Sequence, residues 1–140
     1  MSWNAFGGTD PQRAALAYAR VGVETGVGAA DPHRLVLMLF DGALQCVREA
    51  QGHLQRGDTP AKGLALSRAI QIIEEGLAAS VDESAGGELA RQLKDLYGYL
   101  ARRIVRANRA NDTAVLQEAA RLLGELRGAW QDIAPGGPQP

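Results

Sequence analysis

The chain has little of what most active sites are built from. Its single cysteine, Cys46, excludes an internal disulfide. Its two histidines, His33 and His53, are too few for the paired Glu-x-x-His motifs of a di-metal carboxylate bundle, and the one near-match, Glu49 with His53, has the wrong spacing. Aromatic residues make up 5% of the chain, which leaves little to stack bases on. Neither charge dominates: 15 basic residues face 16 acidic ones, so no general field draws the chain toward nucleic acid or anionic lipid. No apolar run approaches the ~18 residues of a membrane span, and Met1 to Asp10 has neither the basic start nor the apolar core of a signal peptide. A cytoplasmic protein without membrane insertion is expected.

Nucleotide and nucleophile motifs are missing as well. There is no Gly-x-x-x-x-Gly-Lys-Ser/Thr loop, no Gly-x-Ser-x-Gly elbow and no Cys-x-x-Cys pair. The acidic pairs Glu74-Glu75 and Asp82-Glu83 fall where solvated faces and loops are expected. The reading is therefore of a protein that is not an enzyme, with no cofactor and no metal.

What the chain does have is helical patterning. Leu35 to Phe40 is an unbroken apolar run of six, more than one buried stripe absorbs. On a helix, Leu35, Val36, Leu39, Phe40, Ala43, Cys46, Val47, Ala50 and Leu54 fall within an arc of roughly 140°. Leu37, Met38 and Leu44 fall outside it. Asp31-Pro32 supplies an N-cap and a first-turn proline for this helix, which should run to about Arg56. Gly57 then suits a C-terminal cap, and Thr59-Pro60 a new N-cap and first turn for a helix reaching about Ser80.

In that second helix Leu66, Ile70, Ile73 and Leu77 are expected to face inward. Ala65, Ala69, Ile72, Gly76 and Ala79 make a separate strip of mostly small residues, expected to leave a shallow external groove. After a polar loop from Asp82 to Gly87, a third helix should bury Leu89, Leu93, Leu96, Leu100, Ile104 and Ala107. Asn108 to Asp112 breaks it, and Val115, Ala119, Leu122, Leu126, Trp130 and Ile133 mark a fourth, with Leu116 and Leu123 widening its buried face.

Four helices of about twenty residues, each near 30 Å long and joined by short connections, predict an all-α fold, an antiparallel up-down four-helix bundle. Residues 1–30 read as a mobile N-terminal arm holding a short helix, residues 31–133 as the bundle, and residues 134–140 as a disordered tail rich in proline and glycine. A chain of 140 residues buries enough surface for one such domain without a disulfide or metal.

Two faces are left over. Arg102, Arg103, Arg106 and Arg109 project from the third helix with Tyr99 among them. That face reads either as a solvated surface or as a nucleic-acid-binding or other protein-interaction surface. More informative are the surplus apolar residues Leu37, Met38, Leu44, Ile72 with its alanine strip, Tyr97 and Ala101. They exceed the needs of one shared core, and a groove taking an apolar peptide segment becomes the expectation. A charge at Ile72 should then weaken partner binding and leave stability alone.

At this point the residues resemble a family, the flagellin-specific secretion chaperones of the bacterial flagellar export system, FliS. The resemblance rests on Met38-Leu39-Phe40-Asp41-Gly42-Ala43, where the family commonly has tyrosine at the third position. It rests also on Gly86-Gly87-Glu88-Leu89-Ala90, Leu96-Tyr97-Gly98-Tyr99-Leu100, Arg103-Ile104 and Ala107-Asn108 in the third helix, and on Leu122 to Trp130 in the last. Further departures are Asp31-Pro32 in place of Ser-Pro and a glycine-rich stretch between Thr25 and Asp31.

The resemblance implies a cytoplasmic chaperone that binds the disordered C-terminal segment of flagellin, prevents its premature polymerisation and delivers it to a membrane protein of the type III export gate. No nucleic acid is implied. The flagellin groove is then expected over Leu37, Met38, Leu44, Ala65, Ala69, Ile72, Gly76, Tyr97, Ala101 and Arg103. Leu16, Tyr18 and Val21 of the arm would form a displaceable lid.

Overall fold

The computed structural model describes residues 31–133. The expected arm, with its lid residues Leu16, Tyr18 and Val21, and the expected tail lie outside the described residues. Within them the chain forms four helices and no strand: α1 (Pro32–Gln55), α2 (Thr59–Gln71), α3 (Glu83–Ala110) and α4 (Thr113–Gln131). Beyond Gln71 the second helix continues as a π segment, Ile72–Leu77, and a 3-10 turn, Ala78–Ser80.

Each of the four helices starts on an aspartate. The side chains of Asp31, Asp58, Asp82 and Asp112 accept from the backbone N–H groups of Arg34, Ala61, Ala85 and Val115, at 3.1 to 3.2 Å. Such a cap satisfies one of the otherwise unbonded donors of a first turn and places a negative charge at the positive end of the helix. The second cap is therefore Asp58 and not Thr59, which occupies the first helical position. Two turns need left-handed backbone: Gly57 (φ 75°) lies in the connection just after the end of α1, and Asn111 (φ 53°) ends α3.

The expected loop from Asp82 to Gly87 is mostly helical. Asp82 caps a turn that begins at Glu83, and the break comes at Gly87, whose φ of 59° and ψ of −131° suit glycine.

Cross-helix contacts fix the antiparallel order. Lys62 near the start of α2 meets Asn108 and Asn111 at the end of α3. Arg103 of α3 meets Glu118 of α4, and Asp41 of α1 meets Arg127 of α4. His33 at the start of α1 and Trp130 near the end of α4 bond reciprocally: the Trp130 indole N–H donates to the His33 carbonyl at 2.9 Å, and His33 Nε2 donates to the Trp130 carbonyl at 3.1 Å. Their rings stack with centroids 4.9 Å apart. The helices thus form a closed ring, α1 beside α2 and α4, with α3 beside α2 and α4.

The inward faces are rotated from those read off the sequence. Leu66 and Ile73 are buried as expected, but so are Ala65, Ala69, Ile72 and Gly76, while Ile70 is only half-buried. The strip of small residues is no groove. A Cβ built on Gly76 would lie 2.7 Å from Leu39 Cδ2, so the small side chains are what allow α1 to come this close.

On α3 the buried set is Ala90, Tyr97, Leu100, Ala101, Ile104 and Ala107, whereas Leu89 is exposed and Leu93 and Leu96 are half-buried. On α4 the sealed residues are Leu116, Ala119, Leu123 and Trp130, while Val115, Leu122, Leu126 and Ile133 stay half-buried. On α3 and α4 several of the larger aliphatic residues are thus turned partly outward, while Leu100, Ile104, Leu116 and Leu123 stay in the core.

Candidate functional site

Those rotations move the unpartnered apolar surface. Of the residues expected to line a groove, Leu44, Ala65, Ala69, Ile72, Gly76, Tyr97 and Ala101 are buried, Ile72 at 0% exposure and Tyr97 at 1%. An external strip built on them is excluded, because their side chains already pack the core. Leu37, Met38 and Arg103 remain partly accessible.

The furrow lies instead between α3 and α4. At one end is an almost wholly apolar cavity of about 90 Å³, lined by Phe40, Leu89, Leu93, Tyr97, Leu126, Ala129, Trp130 and Ile133. Phe40 and Tyr97 meet at its floor with ring centroids 6.4 Å apart and planes tilted by 58°. Burial holds the Tyr97 phenol well above the usual tyrosine range, because its ionised form would have to give up water.

Further along α3 and α4 a second hollow of about 150 Å³ is lined by Tyr99, Leu100, Arg103, Val115, Glu118, Leu122 and Glu125, among others. Here the lining turns polar. Arg103 donates from Nη2 to Glu118 at 3.1 Å and lies 5.9 Å from the Tyr99 ring centroid. Its Nε is enclosed and lacks a hydrogen-bond partner. The Glu118 carboxylate holds the Arg103 guanidinium above its ordinary value, mainly through that hydrogen bond.

A broader hollow, about 640 Å³, follows the outer face of α1 along Asp41, Leu44, Arg48, Glu49, Gly52, His53 and Arg56, with Gln45 between. Half of its lining residues, Asp41, Arg48, Glu49 and Arg56, are charged, so an apolar guest would meet charge along its length. Cys46 is a free, buried thiol held above its usual value by desolvation first and by Glu49 second, which disfavours the reactive thiolate. Among the described residues no group of three or more His, Cys, Asp and Glu side chains could hold a metal ion, and no helix is long and apolar enough to cross a membrane.

The apolar end of the furrow is where the separate sequence motifs meet. Phe40 and Asp41 come from the first, Tyr97 from the second and Leu126, Arg127 and Trp130 from the third. Asp41 accepts from Arg127 Nε at 2.5 Å beside the cavity that Phe40, Tyr97 and Trp130 line. Residues 14–137 match the family described as "Flagellar protein FliS". The chain belongs to the FliS family.

The flagellar secretion chaperone FliS of Salmonella typhimurium is 47% identical over 119 residues, covering 85% of this chain and 88% of that one. The FliS chaperone of Escherichia coli K12 is 41% identical over 116 residues, 83% and 85% of the two chains. That of Bacillus subtilis is 33% identical over 108 residues, 77% and 79%. This member is thus a flagellar export chaperone by family, with a helical bundle to match.

Leu89, Leu93, Leu122 and Leu126 fall on the regular helical stripes of α3 and α4, so the sequence pattern assigns them to the core. Nothing in that pattern marks the hollows they line between the two helices.

Proposed function

We propose that this chaperone binds the disordered C-terminal segment of flagellin in the cytoplasm, keeps it from polymerising early and delivers it to the membrane component of the export gate. The observation that carries the reading is the apolar furrow between α3 and α4, where three family motifs converge. An unstructured guest gives up chain entropy on binding, and continuous apolar contact must offset that cost. Leu89, Leu93, Leu126 and Ile133 offer such contact, with Leu37 and Met38 as further accessible apolar positions on α1.

The decisive measurement is calorimetric titration of a flagellin C-terminal peptide into the protein carrying Leu89→Glu, and separately Leu126→Glu. Placing a carboxylate against the guest should raise Kd at least tenfold, about 1.4 kcal/mol. For Leu89, already exposed, the melting temperature should stay within a few degrees of the unaltered protein. Unchanged affinity in both variants would remove the furrow as the guest site.

A further inference from the structure

The outward face of α3 carries a feature the furrow does not use. From Leu96 to Asn111 the chain contains four arginines and no acidic residue. Arg103 turns toward α4 and pairs with Glu118. Arg102, Arg106 and Arg109 are exposed and, among the described residues, form no ion pair. On the helix they fall within roughly 60° of one another, opposite the buried arc. Two apolar residues flank this cationic stripe: Val105, 38% exposed, on the side toward α2, and Tyr99, 46% exposed, on the side toward α4.

A helix end tolerates cations because of its dipole, and that alone would explain one or two arginines. It does not explain why two of the four large hydrophobic side chains left exposed on the described residues sit on either edge of the stripe. Nucleic acid is the poorer match. The stripe has a single aromatic side chain, with Arg103 already against its ring, and phosphates would leave Val105 uncovered. Carboxylates spaced along a short amphipathic segment fit both features: they pair bidentately with guanidinium groups, while apolar neighbours cover Val105 and Tyr99.

We propose that Arg102, Arg106 and Arg109, bordered by Val105 and Tyr99, form a second docking surface, distinct from the apolar end of the furrow, for an acidic amphipathic segment of a protein partner. Charge complementarity selects that occupant. The site borders the polar hollow at Tyr99 but shares no residue with the apolar cavity lined by Leu89, Leu93 and Leu126, so that cavity and the stripe can be filled at once.

The test uses a synthetic helical peptide of roughly 16 residues, about 24 Å long, with glutamates on one face flanked by leucines. Fluorescence anisotropy should show it binding the full chain, weakening about tenfold between 50 and 300 mM salt. Arg102→Gln/Arg106→Gln/Arg109→Gln should abolish binding and leave the fold and the furrow titration unchanged. Val105→Ser should weaken it several-fold. A lysine-for-glutamate peptide should bind Arg102→Glu/Arg106→Glu/Arg109→Glu and not the unaltered protein.

The proposal falls if the glutamate peptide does not bind, or if binding survives the glutamine substitutions. It also falls if a single-stranded oligonucleotide of equal charge binds the same arginines more tightly. Should the triple variant fail to fold, the three single glutamine variants carry the test, and no loss in any of them overturns it.

Discussion

Leu39 of α1 packs directly onto Gly76 of the π segment, where an added Cβ would stand 2.7 Å from one methyl and 3.3 Å from the other. Leu39 is fully buried and has little room to turn aside. Gly76→Ala should therefore destabilise the bundle by about 1–2 kcal/mol, the strain of overpacking exceeding the gain in helix propensity. Urea unfolding measures this; an equal or raised midpoint would show that α1 can move away at little cost. Gly124→Ala is the control, since a Cβ there meets nothing within 4 Å. It should leave stability unchanged or raise it by up to about 1 kcal/mol.

Ile72→Asp should prevent folding or cost about 4 kcal/mol or more. Ile72 is completely enclosed, and a carboxylate at that position would be buried without a partner. Circular dichroism at neutral pH reads the result. A folded protein with lowered flagellin affinity would restore the external strip expected from the sequence.

The fold itself was legible because its signals are local and redundant. Asp31-Pro32, Gly57 and Asn111 mark ends by backbone chemistry that depends on few neighbours, and the apolar arc of α1 is so wide that small errors in its orientation change nothing. The facing of α2, α3 and α4 was not legible to the same degree. Side-chain size suggested that leucines go in and alanines stay at the edge. Close approach of two helices reverses that preference, as Ala65, Ala69 and Gly76 show, and Leu89 and Leu126 are left for the outside. The π segment at Ile72–Leu77 left no mark that composition reveals.

Lys62 is 2% exposed, and its ammonium donates to the Asn108 carbonyl at 2.7 Å and to Asn111 Oδ1 at 2.5 Å. It holds the end of α3 against the start of α2, where α3 has carbonyls left without helical partners. Lys62→Met keeps much of the volume but removes both charged hydrogen bonds, and should cost about 1.5–3 kcal/mol. Thermal unfolding checks this. A loss under about half a kcal/mol would mean that water replaces the ammonium.

Tyr97 makes stability depend on alkaline pH. Its phenol ionises at higher pH in the folded chain than in the unfolded one, because of burial. The stabilising difference is therefore intact below the unfolded value of about 10 and declines as pH rises from there toward the folded value. Denaturant midpoints between pH 9 and 11.5 should fall for the unaltered protein and fall less steeply for Tyr97→Phe. Parallel curves would place the alkaline loss elsewhere.

The reciprocal bonding of His33 with Trp130 brings the start of α1 and the end of α4 to a shared corner, beside the hollow that Trp130 and Ile133 help to line. A fluorophore coupled at either of these helix ends would consequently sit near the same hollow. Two labels far apart in numbering would then report on a single spot, and either could register a guest's arrival.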